Sequence, residues 1–203
     1  MLALAALAPF ALLALVARAT PVAGWELEAV TAFALGHGAW PDLVRALNAA
    51  GNPVPWAMVV AALAVCFGVL RGMLTGALVG LSFAADLAAF TTKLLVERLR
   101  PETIATQHFS GADLFAFPSG HVVRMVALAA VVAWLLAPPA WRLRLALLAA
   151  LGAGLAMGYA RVALGVHWPT DALGGILLGT GWFAVSVALV GQVAARRQPN
   201  GAA

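Results

Sequence analysis

The chain has 203 residues, of which 64% are hydrophobic and only 10% are charged, with a net charge of +4. A soluble domain carries roughly 25% charged residues, so this composition excludes a water-soluble fold and predicts an integral membrane protein. The basic residues are scattered at the ends of apolar segments, which excludes a nucleic-acid-binding surface, and the single cysteine, Cys66, excludes an internal disulfide and is predicted to be a small core residue.

The chain begins with an apolar stretch, residues 2–18, for which two interpretations stand. Ala17-Arg18-Ala19 has the small-x-small pattern of a signal-peptide cleavage site, but no Lys or Arg precedes the apolar run. We therefore favour an uncleaved first transmembrane helix over a signal peptide.

Six apolar segments approach the ~20 residues that a transmembrane helix needs. The first two are short or interrupted, by Pro9 and by Gly68, and glycines recur in the later segments. Small residues let helices approach closely in lipid, so we interpret these glycines as packing positions and not as the lining of a pocket. The sequence predicts an all-α polytopic bundle, one domain over residues 1–203, with six transmembrane helices at about 2–18, 55–70, 73–95, 121–137, 144–164 and 172–194.

The long loop 19–54 has apolar residues at about helical spacing, and three tryptophans in or next to it suit the membrane–water interface: Trp25, Trp40 and Trp56. It predicts one or two interfacial helices, in which His37 is a polar interface residue.

Basic residues in the short loops predict the orientation. With the N-terminus inside, Arg71, Arg142, Arg144 and the pair 196–197 all lie on the cytoplasmic side. Heavy use of Ala, Leu and Arg is typical of a GC-rich bacterial genome, so the membrane is predicted to be the bacterial cytoplasmic membrane, with both termini in the cytoplasm. The outer side also carries cations, which need a counter-charge, and an anionic substrate would supply one.

Residues 93–101, KLLVERLRP, carry the first pair of outer cations. Lys93 and Arg100 are two helical turns apart, about 10 Å along an unbroken helix, so they contact one small anion only if the helix ends between them. Pro101 disfavours the helical conformation at Arg100, and we expect the chain to unwind there so that Arg100 folds back toward Lys93. By itself the pattern also fits two cations that snorkel to a membrane boundary.

Residues 117–121, FPSGH, stand where the fourth apolar segment begins. Ser119 is a good N-cap, and the backbone N–H groups of residues 119–121 are expected to point out of the helix start, where they favour an anion. Gly120 leaves the approach open, and His121 brings a group that exchanges a proton near neutral pH. A capped helix with an interfacial histidine explains only part of this set.

Residues 160–171, ARVALGVHWPTD, form the third polar stretch. Arg161 ends the fifth span, and Pro169 starts the sixth, with Asp171 in its first turn. This carboxylate is placed to reach back to one nitrogen of His167, which would leave the other nitrogen free as a nucleophile or base.

In their order and spacing, the three stretches resemble the motifs of the type 2 phosphatidic acid phosphatase family, which also includes vanadium-dependent haloperoxidases: Lys93-x6-Arg100-Pro101, Pro118-Ser119-Gly120-His121 and Arg161-x5-His167-x3-Asp171. The resemblance implies phosphoryl transfer without a metal or other cofactor. In that reaction His167 forms a phosphohistidine, Asp171 orients it, and His121 serves as acid and then as base. The phosphate oxygens would be held by Lys93, Arg100, Ser119, Gly120 and Arg161.

One residue departs from the family pattern, because Ala160 stands where the family usually has serine. We expect an effect on rate or substrate fit and not a loss of activity. The implied substrate is a membrane lipid phosphate at the outer face: a polyprenyl diphosphate is favoured, with phosphatidic acid and phosphatidylglycerophosphate as alternatives. A lipid phosphotransferase of the same fold remains open, as does, less readily, a small transporter.

Four further polar residues have no role in these motifs. Asp86 and Arg124 are intramembrane charges and are expected to pair, although Arg124 is also a candidate contact for a second phosphate group. His108 and Asp113 lie in the loop 102–117, which is interpreted as a substrate-facing lid, with a metal site there as a weaker alternative.

Overall fold

The computed structural model describes residues 1–34, 40–103, 106–107 and 109–197, which form helices and connecting turns and no β-sheet. The α-helices among these residues are α1 (Leu2–Ala19), α2 (Gly24–Phe33), α3 (Pro41–Gly51), α4 (Pro53–Arg71), α5 (Met73–Gly80), α6 (Ser82–Val96), α7 (Gly120–Leu136), α8 (Arg142–Ala163) and α9 (Pro169–Arg197). Short 3-10 helices, Gly111–Leu114 and Pro139–Trp141, precede α7 and α8.

Five segments are long and apolar enough to cross a membrane: α1, α4, the nearly continuous α5–α6 pair, the α8 segment and α9. The sixth, α7, is an apolar helix of 17 residues, at the lower limit for a span. At most 44% of any of the five spanning windows is buried inside the protein, so lipid must cover the rest. These findings confirm the predicted all-α membrane bundle, with a fourth span that is unusually short.

Two local expectations were wrong. Neither Pro9 nor Gly68 breaks its helix, because a proline removes a single backbone hydrogen bond and is tolerated in membrane helices. Cys66 is exposed on α4 and is therefore not a core residue, since it lies on the face of the helix that the bundle leaves to lipid.

Helix α7 lies at the centre and packs against α6, α8 and α9. Val122 and Val126 on α7 are fully buried. A Cβ atom at Gly175 or Gly179 of α9 would lie 2.7 or 2.8 Å from these valines, so the glycines are needed for close packing. This confirms the packing interpretation for the sixth span.

The segment between α1 and α4 forms two helices, α2 and α3, as predicted. Helix α3 is amphipathic: Val44 is fully buried, whereas Asp42 and Arg45 form an exposed ion pair. The predicted interface residue His37 lies outside the described residues. The interface prediction for Trp56 was wrong, because its ring is buried in the core and packs against Phe83.

Basic side chains gather at one end of the bundle. Arg71 at the end of α4 donates a hydrogen bond to the carbonyl of Leu135 near the end of α7. Arg142, at the start of α8, lies over the ring of Trp134. The three polar stretches predicted from the sequence lie at the opposite end of the same helices.

Candidate active site

The end of α6 provides the first part of the site. The helix ends at Val96, and Glu97 adopts a left-handed conformation with φ 54°. The following residues are extended: Arg100 donates its backbone N–H to Leu114 (3.2 Å), and the Arg98 carbonyl accepts one from Ala116 (2.7 Å). The expected unwinding before Arg100 is confirmed.

Lys93 lies one turn inside α6 and is buried, with 9% of its surface exposed. Its Nζ donates hydrogen bonds to the carbonyls of Phe115 (2.6 Å) and Ala116 (3.4 Å). Leu114, which accepts the backbone N–H of Arg100, directly precedes these two residues. Residues 114–116 therefore hold both cations of the first motif.

Arg100 is held by carbonyl oxygens and by a histidine. Its Nε donates to the carbonyl of Asp113 (2.5 Å), and its Nη1 donates to the carbonyl of Val166 (2.7 Å) and lies 2.8 Å from Nε2 of His167. Asp113 thus contributes through its backbone. The possible metal partner of its side chain, His108, lies outside the described residues.

His167 and Asp171 form the predicted pair. Nδ1 of His167 is 3.3 Å from Oδ2 of Asp171, which also accepts the backbone N–H of Trp168 at 2.8 Å. The carboxylate accepts a hydrogen bond from Nδ1–H, so the lone pair of Nε2 faces Arg100. Burial, reinforced by the positive charges of Arg100 and Arg161, lowers the pKa of His167 well below its usual range. The ring is therefore a neutral imidazole with a free nitrogen.

The other carboxylate oxygen of Asp171 belongs to a buried network that the sequence did not reveal. Arg98 donates from Nη1 to Oδ1 of Asp171 (2.9 Å) and from Nη2 to Oε2 of Glu26 (2.6 Å). Glu26, on α2, also accepts the Thr170 hydroxyl at 2.5 Å. The position of Arg98 within the first motif was the one available signal. Nothing local distinguishes Glu26 from an exposed acid on an amphipathic helix.

The start of α7 differs from the expectation in one respect. Ser119 occupies the N-cap position but makes no capping hydrogen bond, and its backbone N–H donates to the carbonyl of Asp171 (3.0 Å). That N–H is therefore not free to bind an anion, because the first turn of α9 packs against it. The Ser119 hydroxyl is buried and has no hydrogen-bond partner within the described part of the chain.

Two asparagines of the α3–α4 segment contact site residues, and neither was predicted. Oδ1 of Asn52 lies 3.1 Å from Nε2 of His121, and Asn48 accepts a hydrogen bond from Nη1 of Arg161, which is 6% exposed. Ala160, in place of the family serine, is fully buried and packs with Val44 of α3.

The predicted pair of intramembrane charges is confirmed: Nε of Arg124 lies 2.8 Å from Oδ1 of Asp86. A Cβ atom at Gly120 would lie 3.8 Å from atoms of both side chains. The ion pair therefore borders the start of α7. Within the described residues, no group of three His, Cys, Asp or Glu side chains is arranged to hold a metal ion.

The structure thus brings the predicted residues to one place. Lys93, Arg100, Arg161 and His121 all lie close enough to His167 for their charges to act on its pKa. Ser119 is tied to Asp171 through its backbone, and Gly120 follows it at the first position of α7.

Comparison with known proteins gives two similarities. The sequence profile of the PAP2 superfamily matches residues 74–194, whereas no curated protein sequence matches the chain. The crystal structure of a transmembrane PAP2-type phosphatidylglycerolphosphate phosphatase from Bacillus subtilis is similar with a TM-score of 0.77 and 23% identity, over 98% of this chain and 99% of that chain. At that identity the similarity concerns the fold.

Proposed function

The chain belongs to the PAP2 superfamily and is a membrane phosphatase, and on that premise we propose that it removes phosphate from a membrane lipid through a phosphohistidine intermediate, without a metal ion. The observation that carries this proposal is a group of cations around a neutral histidine: Lys93 and Arg161 are buried and Arg100 is partly buried.

Within the described part of the chain, none of these three cations forms an ion pair with a carboxylate. Lys93 and Arg100 are bound by carbonyl oxygens, and Arg161 by an amide oxygen. Among the described residues, the arginines paired with carboxylates are others: Arg45, Arg98 and Arg124. A buried charge without a counter-charge is costly. A phosphate dianion would provide that counter-charge at the position where the reaction occurs.

In the first step, Nε2 of His167 attacks phosphorus and the bond from phosphorus to the lipid oxygen breaks. His121 gives its proton to that oxygen. Asp171 stabilises the positive charge that the attack places on the ring. Arg100, 2.8 Å from Nε2, is positioned to bind a non-bridging phosphoryl oxygen as the phosphate displaces it from the ring.

In the second step, water attacks the phosphohistidine. His121 accepts the proton of that water, the nitrogen–phosphorus bond breaks, and inorganic phosphate leaves with both histidines restored. Phosphoryl transfer depends mainly on positioning and on charge stabilisation. Three cations around the phosphoryl group serve the role that Mg²⁺ has in other enzymes.

Two observations point to different lipids. The small size of the chain and its predicted outward-facing site favour a polyprenyl diphosphate, as a carrier lipid to be recycled. The Arg124–Asp86 ion pair favours a monoester such as phosphatidic acid or phosphatidylglycerophosphate. Asp86 already neutralises Arg124, the candidate contact for a second phosphate group. The related protein from Bacillus subtilis is itself named for phosphatidylglycerolphosphate.

The orientation belongs to the same proposal. Arg71 and Arg142 lie together at the end of the bundle away from the site, and the positive-inside rule assigns that end to the cytoplasm. The site would then face the periplasm or cell exterior, and both termini would lie in the cytoplasm, on the inner side of the bacterial cytoplasmic membrane.

The test is phosphate release from a panel of lipid phosphates by the purified protein in detergent, with EDTA present. We expect release from at least one lipid, its loss in His167→Ala, and a phosphoenzyme that survives base and is destroyed by acid. Activity that requires a divalent cation would overturn the proposal. Transfer of phosphate to an added lipid alcohol in preference to water would identify a phosphotransferase. Uptake into liposomes without hydrolysis would identify a transporter.

A further inference from the structure

We infer that helix α3 completes the active site, with Asn52 as a positioning residue for His121 and Asn48 as a positioning residue for Arg161. The inference rests on the proposed function, in which His121 transfers protons and Arg161 binds the phosphoryl group. It concerns residues outside the three motifs.

Helix α3 is docked on α8 in a defined orientation. Val44 is fully buried and packs with Ala160 and Ala163. Asp42 and Arg45 face solvent. Asn48 lies one turn after Val44 and therefore on the same face of the helix.

Asn52 connects α3 to α4, where an asparagine normally caps the new helix by accepting an N–H of its first turn. Here Pro55 stands at the third position of α4 and has no N–H to donate, so the N–H of Val54 is the one capping donor left to the Asn52 side chain. The Asn52 side chain makes no capping hydrogen bond, and its Oδ1 lies 3.1 Å from Nε2 of His121 instead. The Asn52 amide is thus directed toward the site and does not cap α4.

The backbone at Gly51 adds a second contact to the same ring. A Cβ atom there would lie 2.6 Å from Cδ2 of His121, closer than side chains approach one another. The Gly51 carbonyl also accepts a hydrogen bond from Nη1 of Arg124 (3.0 Å). The end of α3 therefore lies directly against the His121 ring and fixes its plane, while Asn52 fixes one of its nitrogens.

Asn48 acts on the other side of the site. Its oxygen accepts from Nη1 of Arg161, whose Nε has no partner within the described residues. Asn48 thus holds one end of the Arg161 guanidinium group, and the Nε–H of that group is left to bind a phosphoryl oxygen. Two side chains of the α3–α4 segment consequently orient two different groups, one for the leaving oxygen and one for the phosphate.

The two roles separate when the leaving group is changed. A lipid alkoxide needs a proton as it leaves, whereas the p-nitrophenolate of p-nitrophenyl phosphate does not. The parameter to compare is kcat/KM, which reports the step that forms the phosphoenzyme. We expect Asn52→Ala to lower kcat/KM roughly tenfold for the lipid phosphate and less than about twofold for the aryl phosphate. We expect Asn48→Ala to lower both values by a similar factor, since it acts on phosphate binding.

Two further variants guard against a folding effect. Asn52→Asp keeps an oxygen acceptor at the same place; its negative charge should lower kcat/KM for both substrates, but the ratio of the lipid to the aryl value should stay within about twofold of the unaltered protein's. Arg45→Ala changes the exposed face of α3 and should leave both substrates and the melting temperature in detergent unchanged. If Asn52→Ala slows both substrates equally, or neither, the positioning role of Asn52 is wrong.

The inference and the proposed function fail in different ways. If the unaltered protein releases phosphate from no substrate, the proposed function is wrong. The Asn48 contact is then still testable through the rise in melting temperature with inorganic phosphate. Asn48→Ala should weaken that binding roughly tenfold relative to Arg45→Ala, and equal binding would overturn the role given to Asn48.

Discussion

Replacing Arg98 should destabilise the protein more than replacing any exposed arginine. Its guanidinium bridges Glu26 at 2.6 Å and Asp171 at 2.9 Å, and the three side chains are 7%, 3% and 0% exposed. Arg98→Ala would leave two carboxylates buried together without a cation. Breaking a buried ion pair by removing one partner costs about 3–5 kcal/mol.

For a chain of this size, each kcal/mol lowers the melting temperature by about 2–4 °C. We therefore expect Arg98→Ala to melt about 10 °C lower than the unaltered protein. The measurement is thermal unfolding of the purified protein in a mild detergent near neutral pH. Arg98→Lys should be intermediate, because an ammonium group keeps the charge but does not offer the planar fork that reaches both carboxylates.

Arg45→Ala is the matched control. Arg45 also pairs with an aspartate, Asp42, but the two side chains are 66% and 99% exposed, and such surface pairs contribute little. The melting temperature of this variant should stay within about 2 °C of the unaltered protein. If Arg98→Ala and Arg45→Ala have the same melting temperature, the Glu26–Arg98–Asp171 cluster does not stabilise the protein as argued.

Three further outcomes test the site. His167→Ala should lower kcat by at least about 10³-fold while leaving the melting temperature near that of the unaltered protein, and residual turnover above that level would mean another nucleophile. Because burial and nearby cations lower the pKa of His167, the ring stays neutral at mildly acidic pH. The kcat/KM profile of the unaltered protein should therefore show no loss centred near pH 6.5 that is attributable to this histidine, and an NMR titration in which the His167 ring gains a proton near that pH would contradict the reasoning. Asp86→Asn frees Arg124 from its ion pair and should raise the preference for diphosphate over monophosphate lipids several-fold, measured as a ratio of kcat/KM values; an unchanged ratio would show that Arg124 does not face a second phosphate.

Much of the fold and of the candidate site is present in local sequence. An apolar run of about 20 residues has few stable forms in lipid other than a helix, so the six segments could be placed to within a few residues. The pair formed by His167 and Asp171 lies four residues apart at a helix start, and the unwinding before Arg100 follows from Pro101. Each of these features depends on neighbours in the chain, which is why the sequence predicts them.

The sequence was less informative wherever a residue's surroundings come from another helix. The inward or outward direction of Cys66 depends on which face of α4 the bundle covers. The free N–H expected at Ser119 is used by the Asp171 carbonyl, because α7 and α9 begin side by side. Both errors came from treating one segment in isolation.

From the amino-acid sequence alone follow the membrane class, the helices and the identity of the groups able to transfer phosphate. Helix packing alone decided that Glu26, more than 70 residues before Arg98, would form an ion pair with it beside Asp171. Packing also decided that Asn48 would contact Arg161 and that Asn52 would contact His121. The physical reason is range: apolar periodicity and capping act over one or two helical turns, whereas a buried hydrogen bond requires two distant segments to be held at one distance by the rest of the core.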